Sequence, residues 1–210
     1  MISNGVDIPA PFFNLATSTK PYYSLAMKEG VTNNIVQRDD PVLRNMAKDV
    51  SPSDIGSPHL NKIIETMKTA MHSQKDGVAL AAPQIGKALK IFIINGELLQ
   101  RADKDYKGDS NDLVFINPKI IRLSKEKSDM EEGCLSVRWL YGEVKRSNKV
   151  TLKSLNEKGE KIERGASGLL AQIFQHECDH LEGILFTDKA SKVWEMTDEE
   201  IRELQNPNDK

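Results

Sequence analysis

The sequence has few cysteines, little net charge and no long apolar run. Its two cysteines cannot build a disulfide framework, which favours a reducing compartment. The 29 basic and 31 acidic side chains leave a formal net charge of −2, so overall charge does not support a general nucleic-acid or anionic-membrane binder. No apolar run is long enough to cross a bilayer, and we therefore expect no membrane-spanning helix.

Internal repeats and low-complexity tracts are also absent, and 39% of the 210 residues are hydrophobic, which suits one packed domain. We expect an N-terminal extension over residues 1–34 that packs on a main domain over residues 35–192, followed by an acidic tail over residues 193–210. The extension lacks the basic start and apolar stretch of a secretory signal. It also contains no arginine, unlike a mitochondrial transit peptide, so a cytoplasmic location is predicted.

Hydrophobic periodicity predicts two helices. The first begins after Ser57, a favourable N-cap followed by proline, and extends to about Gln74; the second spans Ser167–Gly183. The polar stretch Gln100–Asp112 predicts an exposed loop. The predicted strands are Leu89–Ile94, Leu113–Asn117, Ile120–Leu123, Glu143–Lys145, Val150–Ser154 and Lys161–Glu163. Scattered strands with two helices, and no regular alternation, predict an α+β domain.

The second predicted helix carries the motif H-E-x-x-H at residues 176–180. Residues four apart share one helix face, so both imidazoles can meet one metal ion. Leu169 and Ile173 precede the histidines on the same stripe, and we therefore expect the histidines to be partly buried. Cys178 points to another side of the helix. A chance match is the alternative, but two of only four histidines fall in this pattern, which favours a metal site.

A catalytic metal site needs a third protein ligand. One candidate is a downstream carboxylate, Glu199 or Glu200. The other is Cys134, which follows a glycine in the run E-E-G-C-L-S. A cysteine taken alone is more often a small buried hydrophobe. Beside an incomplete metal site in a reducing compartment, a ligand role is favoured, and two histidines with one cysteine would leave a fourth position open for water.

The chain resembles the peptide deformylase family over about Ile35 to Ala190. The blocks that carry the resemblance are G-V-A-L-A-A-P-Q-I-G at Gly77–Gly86, E-G-C-L-S at Glu132–Ser136, Q-H-E-C-D-H-L-E-G at Gln175–Gly183, an opening D-P-x-L-R at Asp40–Arg44, and Asn117-Pro118. The resemblance implies a peptide-deformylase-like α+β fold with short antiparallel sheets around a central metal-binding helix. It also implies a metal-dependent hydrolase that removes the N-formyl group from the initiator methionine of newly made polypeptides.

By position, the resemblance implies six site residues: the metal ligands Cys134, His176 and His180, the general base and acid Glu177, and, as oxyanion stabilisers, the Gln84 side chain and the Leu135 backbone N–H. A bound metal ion lowers the pKa of its water, which can then attack the formyl carbonyl. A neighbouring carboxylate can take that proton and later give it to the leaving amine. Two preset donors can stabilise the oxyanion.

Six further residues are expected to contact the substrate: Val78, Ala79, Gly133, Met130, Leu169 and Ile173. The last three are candidates for the pocket that receives the methionine side chain, although such residues are also common in plain cores. Glycines such as Gly133 are expected to let a peptide approach closely as an added strand, with a simple turn role as the alternative. Asp179 and Arg146 are expected to form an ion pair that steadies the metal-binding helix.

The sequence departs from the family's usual pattern in three places. Ala79 occupies the position of a second glycine in the first block. Tyr141 stands where many members carry an arginine near the substrate, so we expect different preferences beyond methionine. The tail, residues 193–210, has six acidic and two basic side chains. Many bacterial members instead end in a basic helix thought to contact the ribosome, and that contact is not expected for this tail.

The resemblance implies Fe²⁺ as the cofactor, with Zn²⁺ or Ni²⁺ replacing it in purified protein; the spacing of the ligands does not choose between iron and zinc. The expected partners are N-formylmethionyl nascent peptides, with at most a transient ribosome proximity, no membrane and no specific nucleic acid. Two alternatives remain. One is a zincin-like metallopeptidase with Glu199 or Glu200 as third ligand, and the other is a non-catalytic relative that binds N-termini.

Overall fold

The computed structural model describes residues 35–102, 106–108 and 110–205, so the predicted N-terminal extension, residues 1–34, lies outside the described residues. Its helices are α1 (Pro58–His72), α2 (Gly96–Ala102), α3 (Gly168–Leu181) and α4 (Asp198–Gln205). Its strands are β1 (Ala79–Ala81), β2 (Ile91–Ile94), β3 (Leu113–Leu123), β4 (Lys127–Gly133), β5 (Leu140–Ser147), β6 (Lys149–Leu155), β7 (Lys161–Ser167) and β8 (Ala190–Glu195). In the described part of the chain, no helix has the length and apolar character needed to span a membrane.

Two antiparallel sheets carry the fold. The larger has the strand order β1-β2-β3-β6-β7, and the smaller has the order β4-β5-β8. Helix α3 packs against β1, β3, β6 and β7 of the larger sheet and against β5 of the smaller one. The expected arrangement, short antiparallel sheets around a central helix, is confirmed.

The larger sheet is covered on both faces around β2 and the first half of β3, where the residues are almost all apolar and buried. Phe92 and Phe115 face α3, where their rings stack with centroids 4.6 Å apart and Phe174 packs edge-on against Phe115 at 5.2 Å. Alternate residues such as Ile91 and Ile93 face the apolar side of α1 instead. Because side chains on both faces of the sheet are buried, α3 has a fixed position against the sheet. The position of the two histidines on α3 is therefore also fixed.

Both predicted helices are confirmed, with small differences at their ends. Ser57 is the N-cap of α1, and its hydroxyl accepts the backbone N–H of Leu60 at 3.2 Å. The two predicted strands around Asn117-Pro118 form one long strand, β3. Asn117 has a φ of +50° and the register with β6 shifts beside it, so the proline lies at an irregularity that the strand accommodates.

The predicted loop Gln100–Asp112 is partly wrong, because its first residues end helix α2 and Tyr106 is buried against Arg164. The predicted boundary between main domain and tail, at 192/193, falls inside strand β8. Val193 and Trp194 pair with Gly142 and Tyr141 of β5, so backbone hydrogen bonding carries the sheet past that boundary. Strand β4, which the sequence analysis did not predict, is highly polar and lies at an edge of the smaller sheet.

Candidate active site

Three potential metal ligands meet between α3 and the end of β4. His176 and His180 lie one helical turn apart on α3, and Cys134 directly follows the last residue of β4. One donor atom from each lies within 4.8 Å of the others, and the Cys134 Sγ is 3.2 Å from the His180 Nε2. These are the residues that the sequence analysis expected to bind the metal.

The donors in this cluster suit a divalent metal ion. The His176 Nδ1 is hydrogen-bonded to Glu132 at 2.9 Å, which orients the ring and leaves Nε2 for the cluster. Burial and the neighbouring His176 lower the pKa of His180 well below its usual value. Burial also acts to lower the pKa of His176, but its bonds to Cys134 and Glu132 outweigh this and raise that pKa, so a metal ion would compete with a proton for His176. Two imidazoles and one thiol are a donor set used by catalytic zinc and iron sites. The residues present therefore fit the expected ion.

Glu132 links the metal-facing histidine to a buried ion-pair network. Its carboxylate accepts two hydrogen bonds from Arg146, at 2.7 and 2.8 Å, and Arg146 also donates to Asp179 on α3 at 2.6 Å. Burial raises the pKa of Glu132, but the bonds from Arg146 and His176 outweigh it and lower the pKa to about 2. The expected Arg146–Asp179 pair is present. Sequence reasoning missed the role of Glu132, although its place in the E-G-C-L-S run was a usable signal.

Glu177 is buried beside the first histidine, with 4% of its surface exposed. Burial raises the pKa of its carboxyl group to about 7. Its Oε2 has no hydrogen-bond partner among the described residues. A buried carboxyl group with a free oxygen and a pKa near neutrality can exchange a proton with a bound molecule.

Gln84 approaches the cluster from the end of β1. Its Oε1 accepts the Ala81 backbone N–H at 2.8 Å, which fixes the amide so that Nε2 lies 3.5 Å from the Cys134 Sγ and 3.2 Å from the Ser136 Oγ. The short 3₁₀ helix that carries Gln84, Ala82–Ile85, is followed by the cap residue Gly86, whose φ of +75° suits glycine. Gln84 is therefore an amide donor held in place beside the candidate metal ligands.

One cleft of about 850 Å³, including space open to solvent, is lined by two of the three potential ligands, Cys134 and His176, and by Glu177. All but one of the substrate residues expected from sequence line it: Val78, Ala79, Gly133, Leu169 and Ile173. The exception is Met130. The part of β4 that faces the cleft is its end, Glu131–Gly133, whereas Met130 lies one residue further back and pairs with Val144. Gln172 of α3, not Met130, lines the cleft beside Leu169 and Ile173.

The space above Gly133 is filled by an aromatic ring. A Cβ on Gly133 would lie 2.7 Å from the Tyr141 ring, which also stacks on Trp194 with centroids 6.5 Å apart. Tyr141 is only 9% exposed. A glycine is needed at position 133 because the Tyr141 ring lies against it, and this holds whether or not a substrate peptide also passes there.

The alternative ligands of a zincin-like site lie elsewhere. Among the described residues, neither Glu199 nor Glu200 belongs to a group able to hold a metal ion. The Glu200 carboxylate accepts the backbone N–H of Thr197 at 2.7 Å and its hydroxyl at 2.8 Å, as a cap on α4. The structure favours Cys134 over these carboxylates.

Comparisons with known proteins agree on one family. The family model described as "Polypeptide deformylase" matches residues 32–195. A peptide deformylase of Carboxydothermus hydrogenoformans is 42% identical over 160 residues, which cover 76% of this chain and 93% of that protein. An Arabidopsis thaliana relative named as chloroplastic and mitochondrial is 40% identical over 162 residues, 74% of this chain and 60% of that one. A Met-Ala-Ser-bound crystal structure of the Acinetobacter baumannii enzyme is 34% identical, with a TM-score of 0.67, covering 74% of this chain and 96% of that chain.

Proposed function

This chain belongs to the polypeptide deformylase family, whose members are metal-dependent hydrolases that remove the N-formyl group from nascent peptides, and on that premise we propose how its residues perform the reaction. The observation that carries the proposal is the Cys134, His176 and His180 cluster with the buried Glu177 beside it. The catalytic domain that we propose extends from about residue 35 to the end of β8.

Cys134, His176 and His180 would hold the metal ion, and Glu132 would keep the His176 ring oriented. When bound, a divalent ion supplies Lewis-acid chemistry that makes water a nucleophile near neutral pH. We propose Fe²⁺ as the native ion because the family resemblance implies it, with Zn²⁺ or Ni²⁺ as substitutes; the two imidazoles and the thiol would suit any of these ions. Activity of the iron-loaded protein should then decline under air, because both iron and thiolate oxidise. Full activity after prolonged aeration would contradict iron.

Glu177 acts as general base and then general acid. Its unpartnered oxygen accepts a proton from the water that adds to the formyl carbon. The same carboxyl group returns that proton to the nitrogen as the C–N bond breaks, which releases formate and a free α-amine. A pKa of about 7 suits both transfers, because the group can give up and regain a proton near neutral pH.

Gln84 and Leu135 stabilise the charge that develops on the formyl oxygen. The Gln84 amide is fixed by Ala81 and aimed at the cluster, and Leu135 lines the same cleft next to Cys134. In our proposal the second donor is the Leu135 backbone N–H. Donors that are already in place need no reorganisation when the charge appears.

The substrate is an N-formylmethionyl nascent peptide. Leu169 and Ile173, with Gln172, would border the methionine side chain, and Val78 and Ala79 at the edge of the larger sheet would face the peptide backbone. A reducing compartment such as the cytoplasm suits the site, because both cysteines are free thiols. We do not extend a ribosome contact to the tail, since α4 begins with three acidic residues.

Formate release from formyl-Met-Ala-Ser, by protein loaded anaerobically with Fe²⁺, tests the proposal. We expect Glu177→Gln to lower kcat by about 10²-fold or more with the metal retained. Glu182→Gln, a change at an exposed residue just after α3, is the control and should keep full activity. A metal-loaded wild type that binds the peptide but releases no formate would indicate the non-catalytic relative instead.

Cys134→Ala separates our ligand assignment from the zincin-like alternative. Loss of the cysteine should abolish tight metal binding, measured by metal content after gel filtration. Glu200→Gln should leave the metal content unchanged. If Cys134→Ala kept its metal and Glu200→Gln lost it, the ligand would be the Glu200 carboxylate, and the proposed site would be contradicted.

A further inference from the structure

The cleft has a wall that the proposed chemistry does not use. Beyond the metal cluster and the methionine-facing residues of α3, the lining of the cleft includes Arg138, Trp139, Leu140 and Met196. If the formyl group lies at the metal cluster and the methionine side chain lies against α3, this wall remains for the substrate residues that follow the methionine. The inference therefore rests on the proposed function and concerns the specificity of the same site.

Arg138 connects two segments of the chain that line the cleft. Its guanidinium forms a forked ion pair with Asp76 and a hydrogen bond to the Gln74 side chain at 2.7 Å, both in the segment between α1 and β1. The side chains of Arg138 and Asp76 are 21% and 10% exposed. A forked pair at this level of burial fixes the orientation of the guanidinium. The turn after Cys134 is thus joined to the segment between α1 and β1.

Trp139 has a backbone conformation that bulky side chains rarely adopt. Its φ is +66°, in the left-handed region that favours glycine. The conformation is fixed from both sides, because Arg138 precedes it and the Met196 backbone N–H donates to the Trp139 carbonyl at 2.8 Å. The Arg138 guanidinium also lies 5.4 Å from the indole centroid. Strain of this kind at a site calls for a functional explanation.

We propose that Trp139 is a specificity-determining residue that contacts the side chain following the methionine and favours an aromatic one. The indole ring offers a large flat surface, and Leu140 and Met196 extend it with apolar atoms. Arg138 beside the same ring disfavours a basic side chain there, because two cations would compete for one aromatic system. Arg138 and Asp76 are positioning residues that act through Trp139.

Formate release from formyl-Met-Phe-Ala and formyl-Met-Ala-Ala tests the proposal. We expect kcat/KM to be about fivefold higher for the phenylalanine substrate, which corresponds to the free energy of one aromatic pair. The difference should lie in KM. Trp139→Gly should reduce this ratio to about one without lowering Tm, because glycine adopts the observed φ freely. Trp139→Phe should keep most of the ratio. A ratio near one in the wild type, or an unchanged ratio in Trp139→Gly, would overturn the proposal.

The positioning role predicts a separate result. Arg138→Met should lower the phenylalanine preference through KM with kcat little changed, and Arg138→Lys, which can still pair with Asp76, should restore part of it. Equal ratios in wild type, Arg138→Met and Arg138→Lys would remove Arg138 from the proposal. If the wild type released formate from neither peptide, the proposed function itself would fail, which is distinguishable from loss of the preference alone.

Direct binding gives a readout that does not depend on turnover. The chain has two tryptophans, and Trp194→Phe leaves Trp139 as the only one. With zinc-loaded Trp194→Phe protein, the peptide Met-Phe-Ala should change the indole emission at lower concentration than Met-Ala-Ala does. Identical titrations for the two peptides would contradict the contact.

Discussion

At the scale of single residues, Glu132 joins a metal-facing histidine to a buried arginine. Its bonds to the His176 Nδ1 and to Arg146 are all shorter than 3 Å. We expect Glu132→Gln to weaken metal binding by about 10–100-fold, because a neutral amide orients the imidazole less firmly and lowers its basicity. Competition with a chelator would measure the change. Glu131→Gln, at the exposed neighbouring residue, is the matched control, and equal losses in both variants would contradict the role of Glu132.

The second prediction for a single residue concerns Gln84 and the rate of formate release. Gln84→Ala should lower kcat for formate release by about 10²–10³-fold, the effect of removing one donor to a developing oxyanion. Ser136→Ala removes a hydroxyl that Gln84 contacts at 3.2 Å but keeps the amide, so its kcat should fall much less. Metal content should be equal in both variants. If Gln84→Ala changed KM alone, the amide would be a binding group and not an oxyanion donor.

At the scale of elements, α1 is joined at its last residue to the start of β3. The His72 Nε2 lies 2.7 Å from Asp112, and this hydrogen bond raises the pKa of His72. Because folding favours the protonated form, the stabilisation is complete below about pH 6.5 and is lost as the pH rises through the raised pKa. The effect should stay below about 1 kcal/mol, since the histidine side chain is 45% exposed.

Urea unfolding of His72→Gln checks this prediction. The variant should lose more stability at pH 5.5 than at pH 8.5. Asp112→Asn, which removes the carboxylate that faces His72, should show the same difference between the two pH values. A loss for His72→Gln that grows with pH would have the wrong sign and would contradict the ion pair.

The elements that could be predicted from sequence are those with a strong local pattern. Helix α1 has an N-cap and an apolar stripe, and α3 has a stripe that includes both histidines. The elements that could not be predicted lack such a pattern. Strand β4 is exposed at most positions and exists because β5 pairs with it along its whole length, and α2 is a single short helix of seven residues. Pairing across the chain overrides weak local preference in such segments.

At the scale of the whole molecule, the metal site connects parts of the fold that do not adjoin in sequence. Two ligands come from α3, which packs on the larger sheet, and the third follows a strand of the smaller sheet. A bound ion should therefore stabilise the folded state. At a free concentration of about 1,000 times Kd, the gain is about 4 kcal/mol.

Thermal or urea unfolding of metal-free and zinc-loaded protein measures this gain. Tm should rise when zinc is added to the metal-free wild type. Cys134→Ala, which lacks the ligand from the smaller sheet, should show little of the rise. Equal shifts in the two proteins would indicate that zinc stabilises them at another site.

The sequence by itself determined the helix that presents the two histidines and Glu177, because the spacing of a helix places those residues without help from the rest of the chain. It also indicated Cys134 and Gln84 through short blocks that resemble a known family. Only the tertiary structure decided that Glu132 orients His176, that Met130 lies outside the cleft, and that Trp139 and Met196 complete its wall. Those contacts join residues that are distant along the chain, and such distances are set by sheet register and packing rather than by any local pattern.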